Sequence, residues 1–352
     1  MENYITDYHY ERLIKSGNDD SISLKHIQQV NEFLKHNDWL FISPLFFQGF
    51  ELDMISKLIN SKDNPKEKIL ALIANKFYSL SFTASFIEGY CNRCNHIKPF
   101  LMSIEHSVIL TFQKDYEGAI KTIIPIIEGI IRKYLIEEKG FERQVIPFEK
   151  IRKSFDLMRQ DLISEYLQSV VNYTTENNEK LEFSKQQIAN LISKKTEYYD
   201  IWFSFVTEFI NKSFYLKTTG QPLTNEVNRH SILHEFGDKF IYNFENYIKI
   251  YFLLQFMTWI FLIKECKSPL NKIKTLRFAE KIAAYEAIIK HSEKLIYEKH
   301  LLYKNYDMYE RKILKEKFPQ YQNKMLPKKH ILIGKLLKRI SKLIWKKYDY
   351  DL

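Results

Sequence analysis

An arginine and a histidine lie five positions apart in the segment Asn228-Arg229-His230-Ser231-Ile232-Leu233-His234. The guanidinium of an arginine stays charged and can hold a phosphate through two parallel hydrogen bonds. A histidine can take up and release protons near neutral pH. Because these two groups together can cut RNA without a metal, Arg229 and His234 are the candidate catalytic residues of the chain.

Two other interpretations of this segment remain open. In the first, Arg229 is a surface residue and His234 is a capped or buried histidine at a helix start. In the second, His230 and His234 share one helix face at a spacing of four and form half of a zinc site. Such a site needs three or four ligands, and Glu235 and Asp238 are not obviously placed on that face. We therefore predict no metal at this segment.

The segment Cys91-Asn92-Arg93-Cys94-Asn95-His96 also contains metal-ligand residue types. A lone CxxC lacks the second cysteine pair that characterises zinc ribbons, and Cys266 would be a distant fourth ligand. We expect ordinary reduced thiols at a helix end and no metal or other cofactor.

Glu128 interrupts a very apolar stretch of the sequence. The apolar positions around it are Ile123, Ile124, Ile126, Ile127, Ile130 and Ile131. Two interpretations of Glu128 are possible. It is either a buried polar partner near Arg229 and His234, or it lies on the solvated side of its helix.

The elements that must position these residues are helices. Only nine Gly and nine Pro interrupt 352 residues, and apolar residues recur at three- and four-residue spacing, which is typical of helices. Long helices are predicted over 107–138, 147–173 and 184–215, and a last helix follows the Arg229 segment to Lys264. The sequence predicts an all-α fold, and four long helices with short connections suggest an up-and-down bundle.

Residues 250–263 are nearly all apolar, but the stretch is shorter than the roughly 20 residues that a membrane span needs. We therefore predict no transmembrane segment. Burial from two directions, by the core and by a subunit interface, would explain such a helix. Three cysteines and no cationic, apolar leader lead us to expect a reduced, cytoplasmic protein.

The positive charge of the chain is concentrated at its C-terminal end. Residues 264–352 contain 23 Lys and Arg against 10 Asp and Glu, whereas the residues before them have a net charge of −3. Within this tail, 328–347 reads as an amphipathic cationic helix. Such a helix can neutralise RNA phosphates, lie on an anionic membrane, or pack its apolar face on the bundle.

The segment with Asn228, Arg229, His230 and His234 resembles the signature of the HEPN (higher eukaryotes and prokaryotes nucleotide-binding) superfamily. That signature is an arginine, a polar residue, a short spacer and a histidine, at the head of a late helix in a four-helix bundle. The stretch 119–132, Ala-Ile-Lys-Thr-Ile-Ile-Pro-Ile-Ile-Glu-Gly-Ile-Ile-Arg, is similar to an early helix of bacterial members. The resemblance covers about residues 105–266.

This resemblance implies a metal-independent endoribonuclease that works as a homodimer, with two Arg/His sets facing each other. It assigns phosphate contact to Arg229, proton transfer to His234 and an orienting role to His230, while Asn228 and Glu128 are candidate supporting residues. A toxin or phage-defence effector of this kind would act on RNA and have an antitoxin or regulatory partner.

The expected organisation is a helical N-terminal region over 1–104, a HEPN-like bundle over 105–266 and a basic helical region over 267–352. The alternative function is a non-catalytic helical module that binds RNA, a nucleotide or a protein partner. A protein that lies on a membrane surface is a third possibility.

Overall fold

The structure is a computed structural model of the chain. It describes residues 9–11, 13, 24–36, 43–46, 49–60, 65–142, 146–173, 180–215, 228–229, 232, 241–265 and 276–302. These residues are predominantly helical and contain no β-strand, so the predicted all-α class is confirmed.

Eleven α-helices within the described residues are numbered here in chain order. They are α1 (Leu24–His36), α2 (Gly49–Ile59), α3 (Pro65–Phe77), α4 (Leu80–Ser85), α5 (Leu101–Phe112), α6 (Tyr116–Glu137), α7 (Phe148–Arg152), α8 (Ser154–Val171), α9 (Lys185–Phe209), α10 (Phe244–Lys264) and α11 (Leu276–Leu302). Two π-helical turns, Phe86–Cys91 and Ile210–Phe214, extend α4 and α9, and a short 3₁₀ turn, Lys98–Phe100, precedes α5.

Side-chain caps explain where the long helices begin. At α9 the hydroxyl of Ser184 accepts the Gln187 N–H at 3.2 Å, while the Ser184 N–H donates to the Gln187 side chain at 2.9 Å. At α10 the side chain of Asn243 accepts the Asn246 N–H at 2.8 Å. These bonds satisfy backbone N–H groups that lack partners within the first helical turn.

The predicted helix over 107–138 is wrong in one respect, because the chain forms two helices there. α5 ends at Phe112, and Lys114 has a left-handed backbone with φ of 61°. The Asp115 carboxylate then accepts the Gly118 N–H at 3.0 Å and begins α6. The prediction missed this cap, which gives the backbone a favourable alternative to helix continuation. The predicted helix over 147–173 is likewise divided, at Lys153.

Helix α10 is the centre of the core. It packs against α6 and α8, and α8 in turn packs against α9. Among the described residues α10 is the one helix that is long and apolar enough to span a membrane, with a mean hydropathy of 1.4. Helix α3 and the helical segment Leu80–Cys91 are bent by 60° relative to each other, and together they would be long and apolar enough only if they formed one membrane span. However, 89% of the apolar window of α10 is buried by the chain itself, as in the core helix of a globular protein.

The chain divides into two compact units. The first comprises residues 1–111 and 115–271, and it contains α1 to α10 except Phe112, the last residue of α5. The second comprises 112–114 and 272–352, with α11 as its described helix, and within it the rings of Phe112 and Tyr285 meet edge to face. The predicted regions 1–104 and 105–266 both fall almost entirely in the first unit. The predicted cationic helix over 328–347 lies outside the described residues.

Candidate active site

Arg229 and Glu128 form an ion pair across 101 positions of the chain. The Nη2 of Arg229 donates to Oε2 of Glu128 at 3.0 Å, and the Nε of Arg229 faces Oε1. The Glu128 side chain is 13% exposed and that of Arg229 is 25% exposed. The pair is therefore mostly, but not completely, removed from water. One hydrogen bond, from Nη2, and a close ionic contact at the buried Nε thus hold the guanidinium beside the carboxylate.

Helix α6 holds Glu128 in a rigid setting. Ile124, Ile127 and Ile131, which share the helix with it, are all buried in the core. The next residue, Gly129, allows a close approach, because a Cβ there would lie 2.6 Å from Cε1 of Phe100. The backbone that carries Glu128 is thus held by packing on more than one side.

The turn that carries Arg229 is anchored on both sides of this residue. The carbonyl of Asn228 accepts the Ile232 N–H at 3.1 Å, which is a helical spacing, and the Ile232 side chain is completely buried. The amide of Asn228 donates to the carbonyl of Ser213, in the π turn after α9, at 3.2 Å. These contacts hold the backbone next to Arg229 in place, and the supporting role of Asn228 stays a prediction.

Tyr215 is the third member of the site. Its hydroxyl donates to Oε1 of Glu128 at 3.4 Å. Burial, followed by the negative charge of Glu128, raises the pKa of Tyr215 well above its usual value, while Arg229 and Arg132 act in the opposite direction. The phenol therefore stays protonated at neutral pH and remains a hydrogen-bond donor to the carboxylate.

This arrangement leaves part of the guanidinium available to a ligand. Arginine has five N–H donors in a planar fork, and one carboxylate facing Nε and Nη2 occupies only one edge of it. The remaining N–H groups are the donors that could contact an anion such as a phosphate, and the side chain as a whole is a quarter exposed. Glu128 and Tyr215 can thus orient Arg229 without blocking it.

The structure brings two of the candidate residues, Arg229 and Glu128, into contact and places Asn228 beside them. His230 and His234 lie outside the described residues, so the predicted pairing of Arg229 with His234 stays a prediction. Tyr215 was missed by the sequence analysis. It is one of 23 tyrosines and stands in no motif, so no signal in the sequence distinguished it.

Cys91 and Cys94 are buried free thiols next to the π turn Phe86–Cys91. Burial raises the pKa of both, that of Cys94 to about 12 with a further contribution from the charge of Glu265. Neither thiol is therefore a ready nucleophile at neutral pH. Within the described part of the chain, no group of three His, Cys, Asp or Glu side chains could hold a metal ion.

A charged network adjoins these cysteines, and the sequence analysis did not foresee it. The Nζ of Lys264 contacts Glu138 and lies 3.1 Å from Asp161 and 3.6 Å from Glu165. Burial alone would lower the pKa of Lys264, but Glu138 and Asp161 raise it above its usual value. The network joins the end of α10 to α8 and to the residue that follows α6. His96 enters it through Nε2, 2.9 Å from Glu138.

Comparisons of the chain with protein-family models, curated proteins and solved structures find no match.

A double-mutant cycle measures how much the contact between Arg229 and Glu128 contributes to the free energy of unfolding. Glu128→Ala and Arg229→Ala should each lower the free energy of unfolding, with a coupling energy of about 1–3 kcal/mol, because each change leaves a mostly buried charge without its partner. The measurement is urea unfolding followed by circular dichroism.

The matched control is the ion pair between Glu117 and Lys121 on the same helix, in which the Glu117 side chain is 56% exposed. Its coupling should be about 0.5 kcal/mol or less, because water screens exposed pairs. A coupling between Arg229 and Glu128 as small as that of the control would contradict the described geometry.

Proposed function

We propose that the chain is a metal-independent endoribonuclease of the HEPN type that acts as a toxin or phage-defence effector. The observation that carries the proposal is the ion pair between Arg229 and Glu128, which holds a partly exposed guanidinium in place through one hydrogen bond and one ionic contact. The heptapeptide that begins at Asn228 supports it, because it places a histidine five positions after that arginine.

In the proposed reaction a ribose 2′-hydroxyl attacks the adjacent phosphate. His234 removes the hydroxyl proton and returns a proton to the leaving oxygen, and Arg229 stabilises the charge that builds on the phosphoryl oxygens. His230 orients the reacting groups, and Asn228 supports the turn through its bond to Ser213. No step in this scheme requires a Lewis acid.

The proposal includes a two-fold homodimer. Five positions along a helix rotate by about 140°, so Arg229 and His234 of one continuous helix would point apart, and a second subunit can complete each site. The apolar helix α10 no longer supports this inference, because the chain itself buries it. Light scattering should give twice the mass of the chain at micromolar concentration. A monomer both with and without RNA would contradict the dimer.

Substitution of either catalytic residue should abolish cleavage of single-stranded RNA. Arg229→Lys keeps the charge but loses the planar fork, and His234→Gln keeps polarity but loses the proton shuttle, so each should lower the rate by about 100-fold or more. The matched controls are Arg159→Lys, in a surface pair with Asp200, and His106→Gln, which is exposed on α5.

Purified protein incubated with labelled RNA in EDTA is the direct assay. Cleavage should persist in the chelator, and DNA should remain intact because it lacks the 2′-hydroxyl nucleophile. If the chain is inert towards RNA, or EDTA stops it, or the His234 variant cuts at the native rate, the ribonuclease proposal fails. The non-catalytic binding module then takes its place.

A further inference from the structure

An exposed aromatic ring adjoins the candidate active site. Phe148, the first residue of α7, is 38% exposed. Its ring packs edge to face on Tyr215, with ring centroids 5.4 Å apart and an interplanar angle of 86°. Tyr215 is the residue whose hydroxyl contacts Glu128. A single aromatic side chain therefore separates Phe148 from the carboxylate that holds Arg229.

Phe148 is fixed in place although part of its ring meets water. Its helix is anchored by Ile151, which is 2% exposed, and Tyr215 beneath the ring is buried. Many other large aromatic side chains, such as Phe77, Phe86 and Phe155, are completely buried. A partly exposed aromatic ring that is already fixed by packing loses little conformational freedom when a flat ligand stacks on it.

Positive charge accompanies this ring. Arg152, four positions after Phe148, is held by Asn211 in the π turn before Tyr215, with Nε donating at 2.6 Å. The charge of Arg132 partly opposes the rise in the pKa of Tyr215, so this side chain also lies near the phenol. Arg229 and Arg132 therefore lie near the Tyr215 phenol, while Arg152 lies at the turn that precedes it, with Glu149 3.8 Å away. Such a combination of an aromatic ring and cations is typical of single-strand nucleic-acid binding surfaces.

We propose that Phe148 is a stacking platform for a base of single-stranded RNA next to the phosphate held by Arg229. Arg132 and Arg152 contact the flanking phosphates. This inference rests on the proposed ribonuclease function and specifies how its substrate is held. Every base has a π-face, so the platform binds an unpaired base with little sequence preference, whereas paired bases within a duplex cannot reach it.

Binding is measured with the full chain and fluorescent 2′-O-methyl RNA strands of ten nucleotides. These strands lack the 2′-hydroxyl nucleophile, so the proposed reaction cannot cut them. One probe is oligo(A) and the other is an abasic strand with the same phosphates. Phe148→Leu keeps the apolar packing on Tyr215 but removes the ring, so it should weaken oligo(A) binding by about 10- to 100-fold. Affinity for the abasic strand should stay unchanged, and Phe148→Trp should retain native binding.

The matched control is Leu167→Ala, because Leu167 on α8 is exposed to a similar extent at 40%. This change should leave binding of both probes unchanged. Equal affinity of Phe148→Leu and the native chain for oligo(A) would overturn the platform, and so would a failure of the native chain to prefer oligo(A) over the abasic strand.

Cleavage kinetics separate this inference from the proposed function. Phe148→Leu should raise KM for single-stranded RNA and leave kcat nearly unchanged, because stacking contributes equally to the ground and transition states. RNA cleavage with an unchanged KM would refute the platform and retain the ribonuclease. Loss of oligo(A) binding by the Phe148 variant in a chain that cuts no RNA would refute the ribonuclease and retain the platform.

Discussion

The candidate site is held together by one interaction, the ion pair between Glu128 and Arg229. Removing two charges from water costs more than their attraction usually returns, so such a pair is a poor way to gain stability. Its value lies in geometry, because it connects α6 to the short turn that carries Arg229 and holds the guanidinium beside Glu128. Tyr215 adds a hydrogen bond that keeps the carboxylate in this position.

The rest of the first unit provides the rigidity that this pair requires. Helix α10 is buried among α6, α8 and other helices, and the charged network around Lys264 joins its end to α8 and to Glu138. Because α6 carries Glu128, a core that holds α6 in place also holds the site in place. Sites supported by packed helices retain their geometry better than sites on loops alone.

The sequence could predict the helices but not the contacts between them. Apolar spacing identified most long helices. The interruption at Lys114 was missed, because no Gly or Pro stands there and an aspartate cap is a weaker signal. Glu128 was recognised as unusual, but its meeting with Arg229 depends on how distant segments fold, which helical periodicity does not encode.

Tyr215 and Lys264 could not be recognised from the sequence, and the physical reason is the same for both. Tyr215 and Lys264 are common residue types that acquire importance only through the charges folded around them. The HEPN resemblance predicts roles for both Arg229 and His234 from one short motif, and both roles remain predictions. Neither the platform at Phe148 nor the hydrogen bond of Tyr215 belongs to any pattern visible in the chain.

The most direct test of the proposed ribonuclease is whether cleavage requires the 2′-hydroxyl of the ribose next to the scissile phosphate. An RNA with a single cleavage site is made again with 2′-deoxyribose immediately 5′ of the scissile phosphate, and both strands are incubated with the chain. The account predicts that the deoxy strand stays intact and that the native strand is cut to leave a 2′,3′-cyclic phosphate. Equal cleavage of both strands, or a product ending in a 3′-hydroxyl, would contradict it.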